Sequence, residues 1–99
     1  MRSIFWTEQA RDDLGQIDAF ISQDSAHYAA IVVARLIAAV DRLAEFPESG
    51  RVVPEWHRSD VREVIQRPYR IVYRLVGDDK VHVLTVHHGA QPLPEQPNV

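Results

Sequence analysis

The apolar residues of this chain change period near residue 50, and that switch limits what it can fold into. Upstream, Ala10, Leu14, Ile17 and Ile21 recur at steps of four, three and four, which is one face of an amphipathic helix. Thr7 stands before the run as an N-cap, with Glu8 in the first turn where the helix dipole favours an acid. The pattern fades near Ser22-Gln23-Asp24. A second helix, capped by Asp24 or Ser25, is predicted to run to about Phe46 and to stop because Pro47 cannot continue it. Ala29, Val32, Leu36, Val40 and Leu43 form its main stripe, while Ile31, Val33 and Ile37 carry apolar character to other faces. Such a helix is either sandwiched in a core or leaves a strip for a partner, and in a small domain the core is the simpler reading.

Downstream the period is two. Residues 61–66, 69–76 and 80–87 are rich in β-branched and aromatic side chains and read as strands. Gly77-Asp78-Asp79 is a hairpin turn, and Arg67-Pro68 marks a break because proline has no amide hydrogen to give a ladder. Ser3–Trp6 reads as a short first strand. The stretch from Phe46 to Glu55, with two prolines and a glycine, reads as an irregular loop. The order β-α-α-β-β-β predicts an α+β fold in which a helical hairpin packs on one face of a small antiparallel sheet. The other face is then free, or partly free, and forms a shallow groove.

The 99 residues have room for one core, so a single domain over 1–99 is expected. A Pro-rich, flexible tail is expected from about residue 89. With no cysteine, disulfide staples and thiolate metal sites are excluded. No apolar run approaches the ~18–20 residues of a membrane span, and the first residues lack a secretion signal. A cytoplasmic chain without membrane attachment is the expectation.

The formal net charge of −3 argues against broad nucleic-acid binding by the whole chain. The charge is uneven, however. Residues 51–74 hold six arginines against three acids, while residues 1–50 hold eight acids against four arginines. Arginine offers a planar fork of donors suited to phosphate and carboxylate. Strand alternation puts Arg70, Val72 and Arg74 on one face, and Tyr69, Ile71, Tyr73 and Leu75 on the other. The second set suits the helices, so the arginines are expected on the open side. Either Arg62 or Glu63 joins them, depending on a one-residue register choice. The plainer reading is a solvated face of cross-strand ion pairs; the functional one is a surface for a macromolecular target, which requires those guanidinium groups to be exposed and unpaired.

His87 and His88 are adjacent on a strand, so they point to opposite faces and chelate poorly; no metal site is expected. One of them could act as a general acid or base near neutral pH. Trp6 reads as core. Trp56, in the arginine-flanked loop, either staples that loop to the sheet or anchors a partner, and the staple is the simpler reading. No Gly-rich phosphate loop and no nucleophile elbow is present, which removes nucleotide-fold and serine-hydrolase readings.

Several blocks then resemble the RelE/ParE toxin superfamily of type II toxin–antitoxin pairs. They are Trp6-Thr7 with Ala10, Asp12-Asp13-Leu14 and Ile17; Leu43 with Phe46-Pro47 and Gly50-Arg51; and Val61-Arg62-Glu63-Val64-Ile65 with Tyr69-Arg70-Ile71-Val72-Tyr73-Arg74. Val81, Val83-Leu84, Val86 and His88-Gly89-Ala90 complete the set, so the resemblance spans residues 4 to about 94. It implies a cognate antitoxin, of ParD-like type, and no cofactor. It also implies one of two activities: RelE-like members cut mRNA at the ribosome, and ParE-like members inhibit DNA gyrase. In the nuclease case Arg70, Arg74 and His88 are the implied catalytic set. Against it, Val61 and Glu63 stand near the lysines of that branch, Gln91 stands where that branch has an arginine, and the tail has no aromatic residue. The ParE-like branch is therefore favoured, with Arg62, Arg70, Arg74, Trp56 and Gln91 as expected target contacts. Leu14, Ile31, Val33 and Ile37 are expected to receive the antitoxin by a helix-in-groove mode. An inactive binding module of the same fold is the remaining alternative.

Overall fold

A computed structural model describes residues 1–91 and 93. Strand β1 (Ser3–Trp6) leads into helix α1 (Glu8–Ser22) and helix α2 (Ala26–Asp41), which tightens into a 3₁₀ turn over Arg42–Ala44. Then follow β2 (Arg51–Val52), β3 (Val61–Gln66), β4 (Tyr69–Val76) and β5 (Lys80–His88). The helix starts are chemical as predicted. Thr7 Oγ1 accepts from the Ala10 amide at 3.2 Å, and Ser25 Oγ accepts from the Tyr28 amide at 3.0 Å. Among the described residues, no helix is long and apolar enough to cross a membrane.

The α+β class and the packed helical hairpin stand, but the sheet differs from a plain antiparallel one. Its order is β1-β5-β4-β3-β2, and β1 runs parallel to β5. A parallel partner needs a long crossover, and the helices supply it. Strand β2, only two residues long, adds an edge beside β3 that a propensity reading passes over.

The helices cover one face through Ala10, Leu36, Ala39, Val40, Ile71, Val83 and Val86, with Tyr69, Trp6 and Leu14 partly buried against them. Leu43, Tyr73 and Val81 continue that layer. The opposite face is not free. Val61, Val72 and Leu84 form an apolar strip there, and Val53, Trp56 and Leu93 fold over it. Burying that strip is favourable by roughly 25 cal/mol per Å² of apolar surface, which explains why the loop after β2 closes onto the sheet. Trp56 therefore staples its loop, and Leu93 ties down one residue of the tail. The rest of the Pro-rich tail, residues 92 and 94–99, lies outside the described residues.

A bulge makes the second core possible. Thr85 pairs with Val72 and Val83 with Tyr73, so Leu84 is the extra residue of β5. It turns toward Trp56 while Val83 and Val86 both stay under the helices.

Gly50 fixes the approach to β2. A Cβ there would stand 2.5 Å from the Glu63 carbonyl oxygen and 2.5 Å from the Tyr73 hydroxyl, so only glycine fits. The Gly50 amide donates to the Tyr73 hydroxyl at 3.0 Å, and that hydroxyl donates to the Pro47 carbonyl at 2.7 Å. Burial pushes the Tyr73 phenol above its ordinary range.

Candidate functional site

The arginine-bearing surface is set by the register between β3 and β4. Glu63 pairs with Val72, Ile65 with Arg70, Val61 with Arg74 and Arg62 with Tyr73. Directly opposed residues share a face, so Glu63, not Arg62, lies with Arg70 and Arg74. Arg62 is on the side of the helices, where its Nη1 donates to the Gly50 carbonyl at 3.0 Å. The expectation of three arginines on one open face is corrected on this point, because the register falls on the other of the two choices.

Nor are the two remaining arginines free. Arg70 donates from Nη1 and Nη2 to the two carboxylate oxygens of Glu55, at 2.9 and 3.0 Å, and from Nε to Glu63. Its side chain is 12% exposed, and that of Glu63 is fully buried. Glu63 also accepts from Arg51 Nε at 2.7 Å. The ion pair between Glu63 and Arg70 is diagonal across the strands. Arg74 shares Asp60 with Arg58, at 3.2 and 2.8 Å. The hydrogen bonds from Arg70 hold the Glu55 carboxyl below its usual range, and Arg58 with Arg74 does the same for Asp60. In turn Glu55 and then Glu63 raise the Arg70 pKa. The surface is thus an ion-pair network, and the expected free guanidinium face is not present at Arg70 or Arg74. A count of charge in residues 51–74 reports an excess; it does not report that Asp60 and Glu63 are each shared by two arginines or that Glu55 takes the fork of Arg70.

Nor does His88 join this network as the nuclease set requires. Arg70 faces His87 across β4–β5, while His88 faces Tyr69. The Tyr69 and His88 rings meet edge-on with centroids 5.6 Å apart, and His88 Nδ1 accepts from the Ala90 amide at 3.1 Å. His88 thus lies on the opposite side of the sheet from Arg70 and Arg74. Among the described residues, no group of three histidines or acids is placed to hold a metal.

Two grooves accompany the network. One, of about 1020 Å³, lies between α1 and the second half of β5, lined by Ile17, Phe20, Trp56, Tyr69, His88 and Gln91 among others. Gln91 thus sits here, in a groove that none of the paired arginines lines. Along this side Asp13 accepts from both the Thr85 hydroxyl and the Val86 amide, covering backbone that β1 is too short to reach. The other groove, of about 590 Å³, lies beside β1 and is lined by Phe5, Trp6, Leu14, Gly15, Val33 and Ile37 among others. Leu14, Val33 and Ile37 are thus brought together, and Ile31 is not. Phe5 is half exposed, and there is open space where a Cβ on Gly15 would be.

Residues 4–93 match the family model of the ParE toxin of the type II toxin–antitoxin system parDE. The chain belongs to the ParE toxin family. Its resemblance to the wider RelE/ParE superfamily is borne out by relatives and by fold. The chain is 44% identical over 96 residues to the protein Y4kP of Sinorhizobium fredii, covering 95% of each. It is 34% identical over 91 residues to the toxin RelE2 of Caulobacter vibrioides, covering 92% of this chain and 99% of that one. The fold matches a chain of the chromosomal ParDE toxin–antitoxin system of P. aeruginosa with TM-score 0.72 and 24% identity, over 89% of this chain and 96% of that one. It also matches a chain of the RelBE2 toxin–antitoxin complex of Mycobacterium tuberculosis with TM-score 0.64 and 21% identity, over 88% and 96%. Family membership makes this protein a toxin of a type II toxin–antitoxin system.

Proposed function

We propose that this ParE-family toxin acts by binding DNA gyrase and is neutralised by a cognate antitoxin of ParD-like type. The observation that carries the reading is the state of Arg70. A nuclease must place cations where charge develops on phosphate, and in a preorganised site those cations are not already spent on the protein's own carboxylates. Arg70 has its fork on Glu55 and its Nε on Glu63, and His88 is on the other side of the sheet. The ParE family match over residues 4–93 agrees with a target that is not RNA.

The groove beside β1 is where the antitoxin is proposed to lie. Val33 and Ile37, one turn apart on α2, and Leu14 on α1 offer apolar contacts, and Asp18 and Arg11 in the same lining offer one charge of each sign to the partner. Ile31 belongs to this surface only if the partner reaches past the groove.

The direct test is purified toxin, freed of antitoxin, added to gyrase and relaxed plasmid. The proposal expects loss of supercoiled product and accumulation of cleaved DNA, both reversed by antitoxin. Unimpaired supercoiling at a large excess of toxin would contradict it. The name of the Caulobacter relative favours one second reading, a ribosome-dependent endoribonuclease. That reading expects mRNA cleavage in a translation extract, lost in Arg70→Gln.

A further inference from the structure

The two carboxylates that hold Arg70 differ in kind. Glu63 projects from β3, is fully buried and takes Nε. Glu55 projects from the loop between β2 and β3, its side chain is 40% exposed, and it takes both terminal nitrogens at 2.9 and 3.0 Å. That parallel, two-point contact is the geometry in which a guanidinium binds a phosphate. Glu55 therefore occupies the fork that an incoming phosphate oxygen pair would need. The buried partner cannot leave without stranding a charge, whereas the exposed one can be removed while Arg70 keeps Glu63.

Among the described residues, the charges around Arg70 balance: Arg51 and Arg70 share Glu63, Glu55 takes the Arg70 fork, and the Arg51 side chain is 63% exposed. Farther along β4, Arg58 and Arg74 share Asp60. Loss of the Glu55 charge leaves the cluster around Arg70 with two guanidinium groups against one carboxylate. It also frees the bidentate face of Arg70 with its stem still held in place.

We propose that Glu55 is a specificity-determining residue that keeps Arg70 closed to nucleic-acid phosphate, and that this face is a latent phosphodiester site opened by neutralising Glu55. This deepens the reading above, in which the target is a protein and not RNA. The binding test involves no gyrase, so its failure is separable from failure of that reading.

The probe is a fluorescent single-stranded RNA of about 12 nucleotides, within the length of one single-strand site. Binding is followed by anisotropy over a range of salt concentrations for four full-length proteins: wild type, Glu55→Gln, Glu55→Gln with Arg70→Gln, and Asp78→Asn. Asp78 is exposed in the hairpin at the other end of β4, so its variant makes the same charge change away from the site. Glu55→Gln should bind about tenfold tighter than wild type at low salt. Its log–log salt slope should steepen by about 0.7 for each phosphate gained. Asp78→Asn should match wild type, and the double variant should lose the gain. The proposal is overturned if Glu55→Gln binds no tighter than wild type, if Asp78→Asn gains as much, or if the gain survives in the double variant. Should the double variant not fold, the Arg70 Nε–H resonance of Glu55→Gln decides: a shift on adding RNA supports the site, and an unmoved signal overturns it.

Discussion

Replacing Glu63 with alanine should destabilise the fold by about 3 kcal/mol. The Glu63 carboxylate is fully buried and accepts from both Arg51 and Arg70. Removing one member of a buried pair costs roughly 3–5 kcal/mol, chiefly because the other charge is left without a partner. Arg70 is 12% exposed but retains Glu55, so the lower end of that range applies. Arg51 is a useful contrast. Its side chain is 63% exposed, and its removal leaves Glu63 still paired with Arg70. Arg51→Ala should therefore cost less than about 0.5 kcal/mol, as for surface ion pairs. Urea unfolding followed by tryptophan fluorescence separates the two, provided the slope against urea stays at the wild-type value. In a thermal melt Glu63→Ala should lower the midpoint by about 12–24 °C, since a domain of this size loses roughly 4–8 °C per kcal/mol. A Glu63→Ala cost under about 1 kcal/mol, or an Arg51→Ala cost as large as that of Glu63→Ala, refutes the assignment of Arg70–Glu63 as the buried pair.

Gly50→Ala should cost at least about 2 kcal/mol, because the new methyl meets a backbone oxygen and the Tyr73 hydroxyl at 2.5 Å; a neutral result by urea unfolding would remove the proposed close approach. Ile37→Glu, on the wall of the groove beside β1, should weaken antitoxin binding at least tenfold by calorimetry with little change in stability, since Ile37 is already 38% exposed; unchanged affinity moves the antitoxin elsewhere. The Glu55 carboxyl should titrate below the usual 4.5 because Arg70 stabilises its charged form. Its contribution is thus complete above that value and is lost only as pH falls through the lower, folded one. A carbon-13 titration of Glu55 with a midpoint at or above 4.5 would show the clamp to be open.

Much of the fold is legible in the sequence because each element carries local chemistry. Thr7 and Ser25 cap the helices and Gly77 turns the last hairpin with φ at +58°, whereas the second helix, expected to run to about Phe46, ends at Asp41 and passes through a 3₁₀ turn to Ala44 before Pro47 is reached. The alternation in β4 also places Ile71 and Tyr73 under the helices as read. What is not legible depends on contacts between distant segments. The parallel docking of β1 on β5 has no local signal. The Leu84 bulge and the closing of Val53 and Trp56 over Val72 turn an expected open face into a second core. The site suffers most, because period two fixes which side Arg70 takes but not what meets it there. Glu55 reaches Arg70 from fifteen residues upstream, through a loop whose path is set by Trp56. The acids at 55, 60 and 63 were visible as composition, and only their positions turn an arginine excess into paired charges.

The proposed function has this ParE-family toxin poison a protein target without cleaving RNA. Its most direct test is induction of the chain in cells without antitoxin, following DNA damage, filamentation and protein synthesis over time. DNA damage signalling and filamentation should come first, with protein synthesis continuing through the early interval. An immediate stop in protein synthesis with cleaved mRNA and intact DNA would contradict the claim.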